Sequence, residues 1–231
     1  MGTILILMGA PGAGKGTQAQ RISERFGWPQ ISTGDILREM AETDTELGRR
    51  IRETLKAGHL VSDDIVGAII RERTAQDDCR RGYILDGYPR TEAQARLLDE
   101  IIHEQKKKLL VIHIVIQRES LVKRLSGRRT CPRCHEIYNL YLKPPREDEL
   151  CDRCRLPLVQ RADDVPEAVA ERYDVYQQKT APLLEYYRAR GNVYEVDGER
   201  PIEEVFQEIV TILEAHRARC SSNCSQESLS V

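Results

Sequence analysis

Short runs of apolar residues alternate along the chain with longer charged stretches. The first run, Thr3–Met8, is continuous, which is typical of a strand buried on both faces of a parallel sheet. Further apolar runs lie at Tyr83–Leu85, Leu109–Ile116 and Val193–Val196, and the stretches between them are compatible with helices. The alternation predicts an α/β fold with a central parallel sheet.

Two stretches interrupt this alternation. Residues 31–61 have helical character and are rich in Arg and Glu, so we expect a small helical insertion. Residues 127–164 are rich in Cys, Pro and Arg and contain too few large apolar residues for a core of their own. The remaining segments, residues 1–30, 62–126 and 165–217, are expected to form the core, and the polar, Ser-rich residues 218–231 a disordered tail.

A glycine-rich segment, Gly9-Ala-Pro-Gly-Ala-Gly-Lys-Gly-Thr17, follows the first strand and precedes a predicted helix. In this context backbone N–H groups converge on phosphate oxygens, and Lys15 reaches the β- and γ-phosphates. Gly16 stands where the usual pattern has Ser or Thr, which weakens the case for direct Mg²⁺ ligation by a loop hydroxyl. The alternative is a tight turn between strand and helix that binds no ligand.

Charged residues outside this loop are further candidates for the site. Asp86 ends the second apolar run, and we expect it to organise Mg²⁺ directly or through water; the alternative is a turn or cap residue. A chain that binds polyphosphate also needs guanidinium groups that converge from different segments. The candidates are Arg38, Arg90, Arg124, Arg128, Arg161 and Arg172. Each of these arginines taken alone is more typical of an exposed side chain, and the sequence does not show that they converge.

Four of the seven cysteines form two pairs with the spacing of a zinc site, Cys131-x2-Cys134 and Cys151-x2-Cys154, separated by 16 residues. Four thiolates fill a tetrahedral Zn²⁺ site, so the metal is expected to be structural and to hold residues 127–164 together. The alternatives are free thiols, redox pairs or an iron–sulfur cluster, whose usual spacing fits less well.

Composition narrows the class of protein further. The 231 residues include 35 basic and 37 acidic side chains, a formal net charge of −2, and 40% are hydrophobic. This is the composition of a globular protein, and it argues against a nucleic-acid footprint over the whole surface. No apolar run approaches the roughly 18 residues of a membrane span, and the first residues do not resemble a signal peptide. We therefore expect a cytoplasmic protein, and no interface pattern indicates anything but a monomer.

Taken together, these motifs resemble the adenylate kinases, in the long form whose lid carries a zinc knuckle. The resemblance extends from Gly2 to about Leu213, with the motifs in the family's order. The matching pieces are Gly9 to Gln18, Ser32-Thr-Gly-Asp35 with Arg38, Leu85-Asp-Gly-Tyr-Pro-Arg-Thr91 with Gln94, Gly127-Arg-Arg129, the four cysteines, Gln160-Arg-Ala-Asp-Asp164, Arg172, and Val196-Asp-Gly198.

The resemblance implies a P-loop three-layer α/β fold and the reaction MgATP + AMP ⇌ 2 ADP. Residues 31–61 correspond to the AMP-binding insertion and residues 127–164 to the lid over ATP.

The residues implied in ATP binding are Gly12, Ala13, Gly14, Lys15, Gly16, Thr17, Arg124, Arg128, Ile137, Tyr138 and Arg200. Those implied in AMP binding are Thr33, Arg38, Leu60, Val61, Gly87, Tyr88, Pro89, Arg90, Gln94, Arg161 and Arg172, with Gln94 on the adenine edge. The residues implied in catalysis are Lys15, Arg90, Arg128, Arg161 and Arg172. The implied metals are Mg²⁺, bound with ATP, and structural Zn²⁺. The expected partners are ATP, AMP and ADP, and neither nucleic acid nor a membrane is expected.

Two other functions remain as hypotheses at this point. One is a P-loop kinase that phosphorylates UMP, CMP or a small alcohol, against which Gln94 and Thr33 argue. The other is a nucleic-acid-binding module built on the four cysteines and their basic neighbours. The near-neutral charge and the lack of a basic strand rich in aromatic residues argue against that module.

Overall fold

A computed structural model describes residues 2–227 of the chain, with side chains for residues 2–219. The strands are β1 (Thr3–Met8), β2 (Gln30–Ser32), β3 (Gly82–Asp86), β4 (Lys108–Val115), β5 (Arg128–Thr130), β6 (Ile137–Asn139) and β7 (Val193–Asp197). The α-helices are α1 (Lys15–Phe26), α2 (Thr33–Ala41), α3 (Glu46–Lys56), α4 (Asp63–Thr74), α5 (Glu92–Gln105), α6 (Arg118–Ser126), α7 (Pro166–Val175), α8 (Leu183–Arg188) and α9 (Ile202–Glu227).

Five of the strands form one parallel sheet in the order β2-β3-β1-β4-β7. After β1, the chain first forms β2 and β3 on one side of β1 and later forms β4 on the other side. Loops that follow strands on either side of such a reversal leave a crevice at the carboxyl ends of the strands, where ligands bind in open α/β sheets. The predicted α/β fold with a central parallel sheet is thus confirmed, and the glycine-rich loop after β1 lies at this crevice.

Both faces of the sheet are buried, which explains the uninterrupted apolar run of β1. Ile4, Ile6 and Met8 point to one face, where α2 to α5 and α8 contribute the apolar side chains around them. Leu5 and Leu7 point to the other face and pack with α1 and α9. Because successive strand residues alternate between faces, a strand covered on both sides is apolar at every position.

The structure differs from the sequence expectation at two places. The strand β2 is only three residues long and was not predicted, because so short a run carries no measurable alternation; its residues Ile31 and Ser32 belong to the sheet rather than to the helical insertion. The helix α9 extends to Glu227 and so enters residues 218–231, for which a disordered tail is expected from the sequence. The remaining tail residues, 228–231, lie outside the described part of the chain.

Residues 127–164, all of them described, contain no α-helix. The strands β5 and β6 pair antiparallel, and isolated bridges join Thr130 to Val159 and Leu150 to Pro157. The apolar cluster at the centre of this segment is built from the four cysteines, Tyr138 and Leu158. Within the described part of the chain, no helix combines the length and the apolar character needed to cross a bilayer.

Candidate active site

The loop between β1 and α1 has a backbone that only glycine adopts at its critical points. A Cβ on Gly9 would lie 2.5 Å from the carbonyl oxygen of Ile114, and Gly14, with φ of 97°, forms the N-cap of α1. The loop therefore curls over the start of α1, whose free N–H groups point into the crevice. Lys15 Nζ donates hydrogen bonds to the carbonyl oxygens of Gly9 (2.8 Å) and Ala10 (2.9 Å).

A cleft of about 560 Å³ opens beside this loop and is bounded on its far side by β6 and by the chain after β7. It brings together all the residues that the sequence implied in ATP binding, namely Gly12, Ala13, Gly14, Lys15, Gly16, Thr17, Arg124, Arg128, Ile137, Tyr138 and Arg200. A Cβ on Gly16 would lie 2.8 Å from Ile137 Cδ1, so residues 127–164 approach the loop closely at this point.

A narrower cavity of about 50 Å³ adjoins the cleft and is lined mainly by α2, the end of α3 and the segments before α4 and α5. Of the residues implied in AMP binding, it collects Thr33, Arg38, Leu60, Val61, Gly87, Arg90, Gln94 and Arg172. Tyr88 and Pro89 line the space directly beneath it, and Arg161 faces the larger cleft. Because Arg38, Arg90 and Arg172 line both spaces, anionic ends of two ligands would meet between them.

The environment of the cations in this region disfavours their charged forms. Burial lowers the pKa of Lys15 from 10.5 to about 7; Asp86 opposes this shift, and Arg90 adds to it. Burial and the neighbouring Arg172 lower the pKa of Arg90 to about 10. Burial and the charge of Arg128 lower the pKa of Arg161 to about 9. Such crowding of positive charge in a partly dehydrated cleft is typical of a site that binds a polyanion.

Three acids hold the arginines in place, the buried Asp163 and Asp164 and the partly buried Asp35, and the sequence alone assigns them no role. Arg172 Nη1 lies 2.9 Å from Asp163 Oδ2 and 3.1 Å from Asp164 Oδ1, and Arg128 Nε donates to Asp164 Oδ2 at 2.7 Å. Asp35, whose pKa stays below the ordinary value despite burial because Arg38 and Arg161 lie beside it, pairs with both of these arginines. The sequence feature that marks Asp35, Asp163 and Asp164 is their position within the family motifs.

Asp86 lies at the bottom of the cleft, next to Lys15. Burial raises the pKa of its carboxyl group above the ordinary value, and the positive charge of Lys15 acts in the opposite direction. Gln30 Nε2 donates a hydrogen bond to Asp86 Oδ2 at 3.1 Å. The oxygens of Asp86 are hard ligands, which suits a divalent cation held either directly or through water.

The four cysteines form two loops of the same geometry. In the first loop, the N–H of His135 donates to Cys131 O, and the N–H of Cys131 donates to Glu136 O. In the second loop, Arg155 and Leu156 take the corresponding positions around Cys151. His135 and Arg155, which follow the second cysteine of each pair, both have φ of 57°. Residues 131–136 and 151–156 are therefore two equivalent knuckles.

The sulfur atoms fit a tetrahedral metal site. All four Sγ atoms lie within 4.8 Å of one another, and tetrahedral Zn–S bonds of about 2.3 Å would separate them by about 3.8 Å. Burial raises the pKa of Cys134, whereas the N–H of Cys154 and the hydroxyl of Tyr138 lower the pKa of Cys151 against the effect of burial. A donor set of four clustered sulfurs matches the chemistry of Zn²⁺.

Residues 127–164 lie across the cleft, and three of their contacts reach α1 and α2. Arg161 Nη2 lies 3.4 Å from Asp35 Oδ1, His135 Nε2 lies 3.4 Å from Glu39 Oε1, and Gln20 Nε2 donates to His135 O at 3.4 Å. Side chains that the sequence did not single out also face the cleft from this segment, namely Asn139, Tyr141, Leu142 and Lys143. No sequence signal distinguishes these residues from ordinary surface positions.

Comparison with known proteins gives a consistent result. The family model described as adenylate kinase matches residues 7–192. A protein of Archaeoglobus fulgidus named adenylate kinase is 53% identical over 211 residues, which cover 91% of this chain and 97% of that protein. Proteins of the same name are 48% identical in Nitrosococcus oceani, covering 92% of this chain and 99% of that protein, and 47% identical in Thermotoga maritima, covering 90% and 96%.

Proposed function

Because the chain belongs to the adenylate kinase family, it is a nucleoside monophosphate kinase, and we propose that it catalyses MgATP + AMP ⇌ 2 ADP in the cleft described above. The observation that carries the assignment of the site is the row of cations, Arg38, Arg90 and Arg172, shared by the large cleft and the narrow cavity. Two nucleotides bound in these spaces would bring their phosphates together along this row.

ATP is proposed to occupy the larger cleft. The loop from Gly12 to Thr17 presents backbone N–H groups to the β- and γ-phosphates, and Lys15 exchanges its two carbonyl partners for phosphate oxygens. Arg124 donates a hydrogen bond to the carbonyl oxygen of Gly198 at 2.7 Å, which holds its guanidinium group beside Arg200 on the same wall of the cleft. This wall, together with Ile137 and Tyr138, is proposed to hold the adenosine part of ATP.

AMP is proposed to occupy the narrower cavity, with its phosphate towards the row of arginines. Arg90 is fixed by a hydrogen bond from its Nε to Gly87 O at 2.8 Å, and Thr33 Oγ1 donates to the same oxygen at 2.9 Å. Leu60, Val61 and Gln94 also line this cavity, and the base is proposed to lie against them. Of these, Gln94 is the side chain able to recognise a base by hydrogen bonds.

Phosphoryl transfer in this site needs no general base. The second pKa of a phosphate monoester is about 6, so the AMP phosphate arrives largely ionised at neutral pH. The obstacle is repulsion between a dianionic acceptor and a polyanionic donor, which Lys15 and the buried arginines offset as charge spreads in the transition state. Arg161 is prepared for this role because its Nε is buried and has no hydrogen-bond partner among the described residues.

MgATP, rather than free ATP, is proposed as the donor, as adenylate kinases use Mg²⁺ with ATP. The ion neutralises charge on the β- and γ-phosphates. Asp86 is the residue of this chain proposed to orient the hydrated ion, since its charge acts on Lys15 and it lines the cleft.

Zn²⁺ bound by Cys131, Cys134, Cys151 and Cys154 is proposed to have a structural role. The four thiolates leave no coordination position for substrate, and the knuckles supply residues 127–164 with the rigid centre that their few apolar side chains do not. We propose that residues 127–164 act as a lid, that residues 31–61 form the AMP-binding insertion, and that closure of the lid excludes water.

The remaining expectations from the sequence stay proposals: a cytoplasmic monomer whose partners are ATP, AMP and ADP and not nucleic acid or membrane. In support, the five cysteines whose side chains are described are unbridged, which fits a reducing compartment.

The test is ADP production from MgATP with AMP, UMP, CMP, GMP or no acceptor, using protein whose zinc has been quantified. Turnover with AMP above all other acceptors, at about one zinc per chain, is the expected result. Preference for another acceptor would overturn the assignment of Gln94 while leaving the kinase chemistry intact. Retention of RNA or DNA without any turnover would favour the nucleic-acid hypothesis instead.

A further inference from the structure

The side chain of Gln94 is held at both ends of its amide group. It lines the narrow cavity and is almost completely buried, with 3% of its surface exposed. The backbone N–H of Arg90 donates to Gln94 Oε1 at 2.8 Å, and Gln94 Nε2 donates to Asp63 Oδ1 at 2.8 Å. Both contacts are short enough to be full hydrogen bonds.

These two partners determine which way the amide points. A backbone N–H only donates and a carboxylate only accepts, so the oxygen of Gln94 must face Arg90 and the nitrogen must face Asp63. Thr91 Oγ1 donates a second hydrogen bond, of 3.0 Å, to Asp63 Oδ1 and also accepts from the backbone N–H of Gln94. The carboxylate is thereby fixed to the same turn that carries Gln94.

The orientation leaves a defined hydrogen-bonding pattern for a ligand. After these contacts, the amide of Gln94 retains one N–H and one oxygen lone pair. Adenine offers an acceptor at N1 beside the donor of its 6-amino group, which complements that pattern. Hypoxanthine and guanine carry the opposite pattern, a donor at N1 beside an acceptor at O6, which only a flipped amide would complement.

We propose that Asp63 is a specificity-determining positioning residue, which makes the acceptor site selective for 6-aminopurine nucleotides by preventing Gln94 from flipping. In the flipped amide, Gln94 Oε1 would face the carboxylate of Asp63 and Nε2 would face the N–H of Arg90. The first contact would place two acceptors against each other and the second two donors, where little water is available to bind the unpaired groups. This inference rests on the proposed function, because it concerns the base bound in the proposed AMP cavity.

The experiment compares AMP with IMP, which differs from AMP in carrying the opposite pattern at N1 and position 6. kcat/KM for each acceptor is measured at saturating MgATP for the wild type, Asp63→Asn and Asp64→Asn. Asparagine keeps the shape of Asp63 but is able to accept from Gln94 in one orientation and donate to it in the other. Asp64 is the matched control, since it is exposed and lies beside Asp63 in the first turn of α4.

In Asp63→Asn we expect the ratio of kcat/KM for AMP to that for IMP to fall about tenfold or more, mainly because IMP becomes a better acceptor. The ratio in Asp64→Asn and the KM for MgATP in both variants should stay at the wild-type values. A gain in IMP use is a change that simple loss of structure does not produce. If Asp63→Asn melts well below the wild type, Asp63→Ser, whose hydroxyl both donates and accepts, is expected to lower the ratio in the same way.

The outcomes separate the two levels of the argument. A wild type that does not phosphorylate AMP would overturn the proposed function itself. If the wild type phosphorylates AMP, but neither Asp63→Asn nor Asp63→Ser changes the ratio of kcat/KM for AMP to that for IMP, only the role of Asp63 is overturned. The role of Asp63 would be overturned equally if Asp64→Asn changed the ratio as much as Asp63→Asn.

Discussion

Lys15 illustrates how the fold prepares a single residue for its ligand. Its amine lies among partly buried arginines and donates hydrogen bonds to the carbonyl oxygens of Gly9 and Ala10. Burial lowers its pKa to about 7, although Asp86 lies close by. A triphosphate adds several negative charges beside the amine, which favours its protonated form.

Nucleotide binding is therefore expected to take up protons between pH 7 and about 10. In this window the free folded chain has lost the proton of Lys15, whereas the ordinary pKa of 10.5 keeps it bound in the unfolded chain. The contribution of this group to folding stability accordingly rises with pH through the same window. Titration calorimetry at pH 8.5 with a non-hydrolysable ATP analogue, in buffers of different ionisation enthalpy, measures the uptake. Lys15→Met should abolish it; uptake that persisted in this variant would contradict the assignment to Lys15.

At the scale of elements, the cysteine knuckles replace a hydrophobic core. The segment that contains β5 and β6 has a buried centre of cysteines, Tyr138 and Leu158, while Leu140, Tyr141, Leu142 and Val159 are largely exposed. Such a centre is too small to order nearly forty residues by hydrophobic burial. In the proposed zinc site, metal binding would supply the missing free energy, and the order of this element would then depend on the metal.

Replacing one ligand should therefore loosen this element selectively. We expect Cys131→Ala to lower the zinc content and to increase hydrogen exchange in β5 and β6, while β1 and β4 keep their protection. The matched control is Cys79→Ala, which removes another fully buried thiol that lies far from the knuckles in the main core. Elemental analysis and hydrogen exchange read out both effects. Full zinc and unchanged exchange in Cys131→Ala would refute the structural-metal proposal.

At the scale of the whole molecule, the proposed active site is assembled from segments that are far apart in the chain. Arg161 and Asp35, which lie 3.4 Å apart, are separated by 126 residues. Lys15, Arg38, Arg90, Arg128, Arg161 and Arg172 meet in one cleft around four acids, Asp35, Asp86, Asp163 and Asp164. Positive charge is in excess, so the free protein carries an electrostatic cost that anionic substrates relieve.

This excess predicts opposite effects of one substitution on activity and stability. Arg161→Ala should lower kcat by roughly 10²- to 10³-fold, by analogy with the loss of one donor that stabilises a charged transition state. The melting temperature should stay unchanged or rise, because the neighbouring Arg128 and Arg38 repel Arg161, and Asp35 retains Arg38 as a partner. Steady-state kinetics and thermal melting measure the two effects.

The control for Arg161→Ala is Arg80→Ala. The side chain of Arg80 is 79% exposed and forms a surface ion pair with Asp77. Neither activity nor stability should change noticeably there, because exposed ion pairs contribute little. A lowered melting temperature with full activity in Arg161→Ala would show that this arginine is structural instead.

The sequence by itself determined the features whose physical cause is local. The strand, loop and helix from Thr3 to Phe26 follow from a short window of apolar and glycine residues. The two cysteine pairs likewise carry their geometry in their own spacing. The order of the motifs along the chain then carried the resemblance to the adenylate kinases, which the family match over residues 7–192 confirms.

Only the tertiary structure decided the interactions between distant segments. It joined β2 to the sheet, paired the arginines with Asp35, Asp163 and Asp164, and set Asp63 against the amide of Gln94. A single aspartate has the same sequence signal whether it is exposed or buried beside a cation. The difference comes from burial and from partners that the fold supplies, and no pattern of neighbouring residues along the chain encodes either of them.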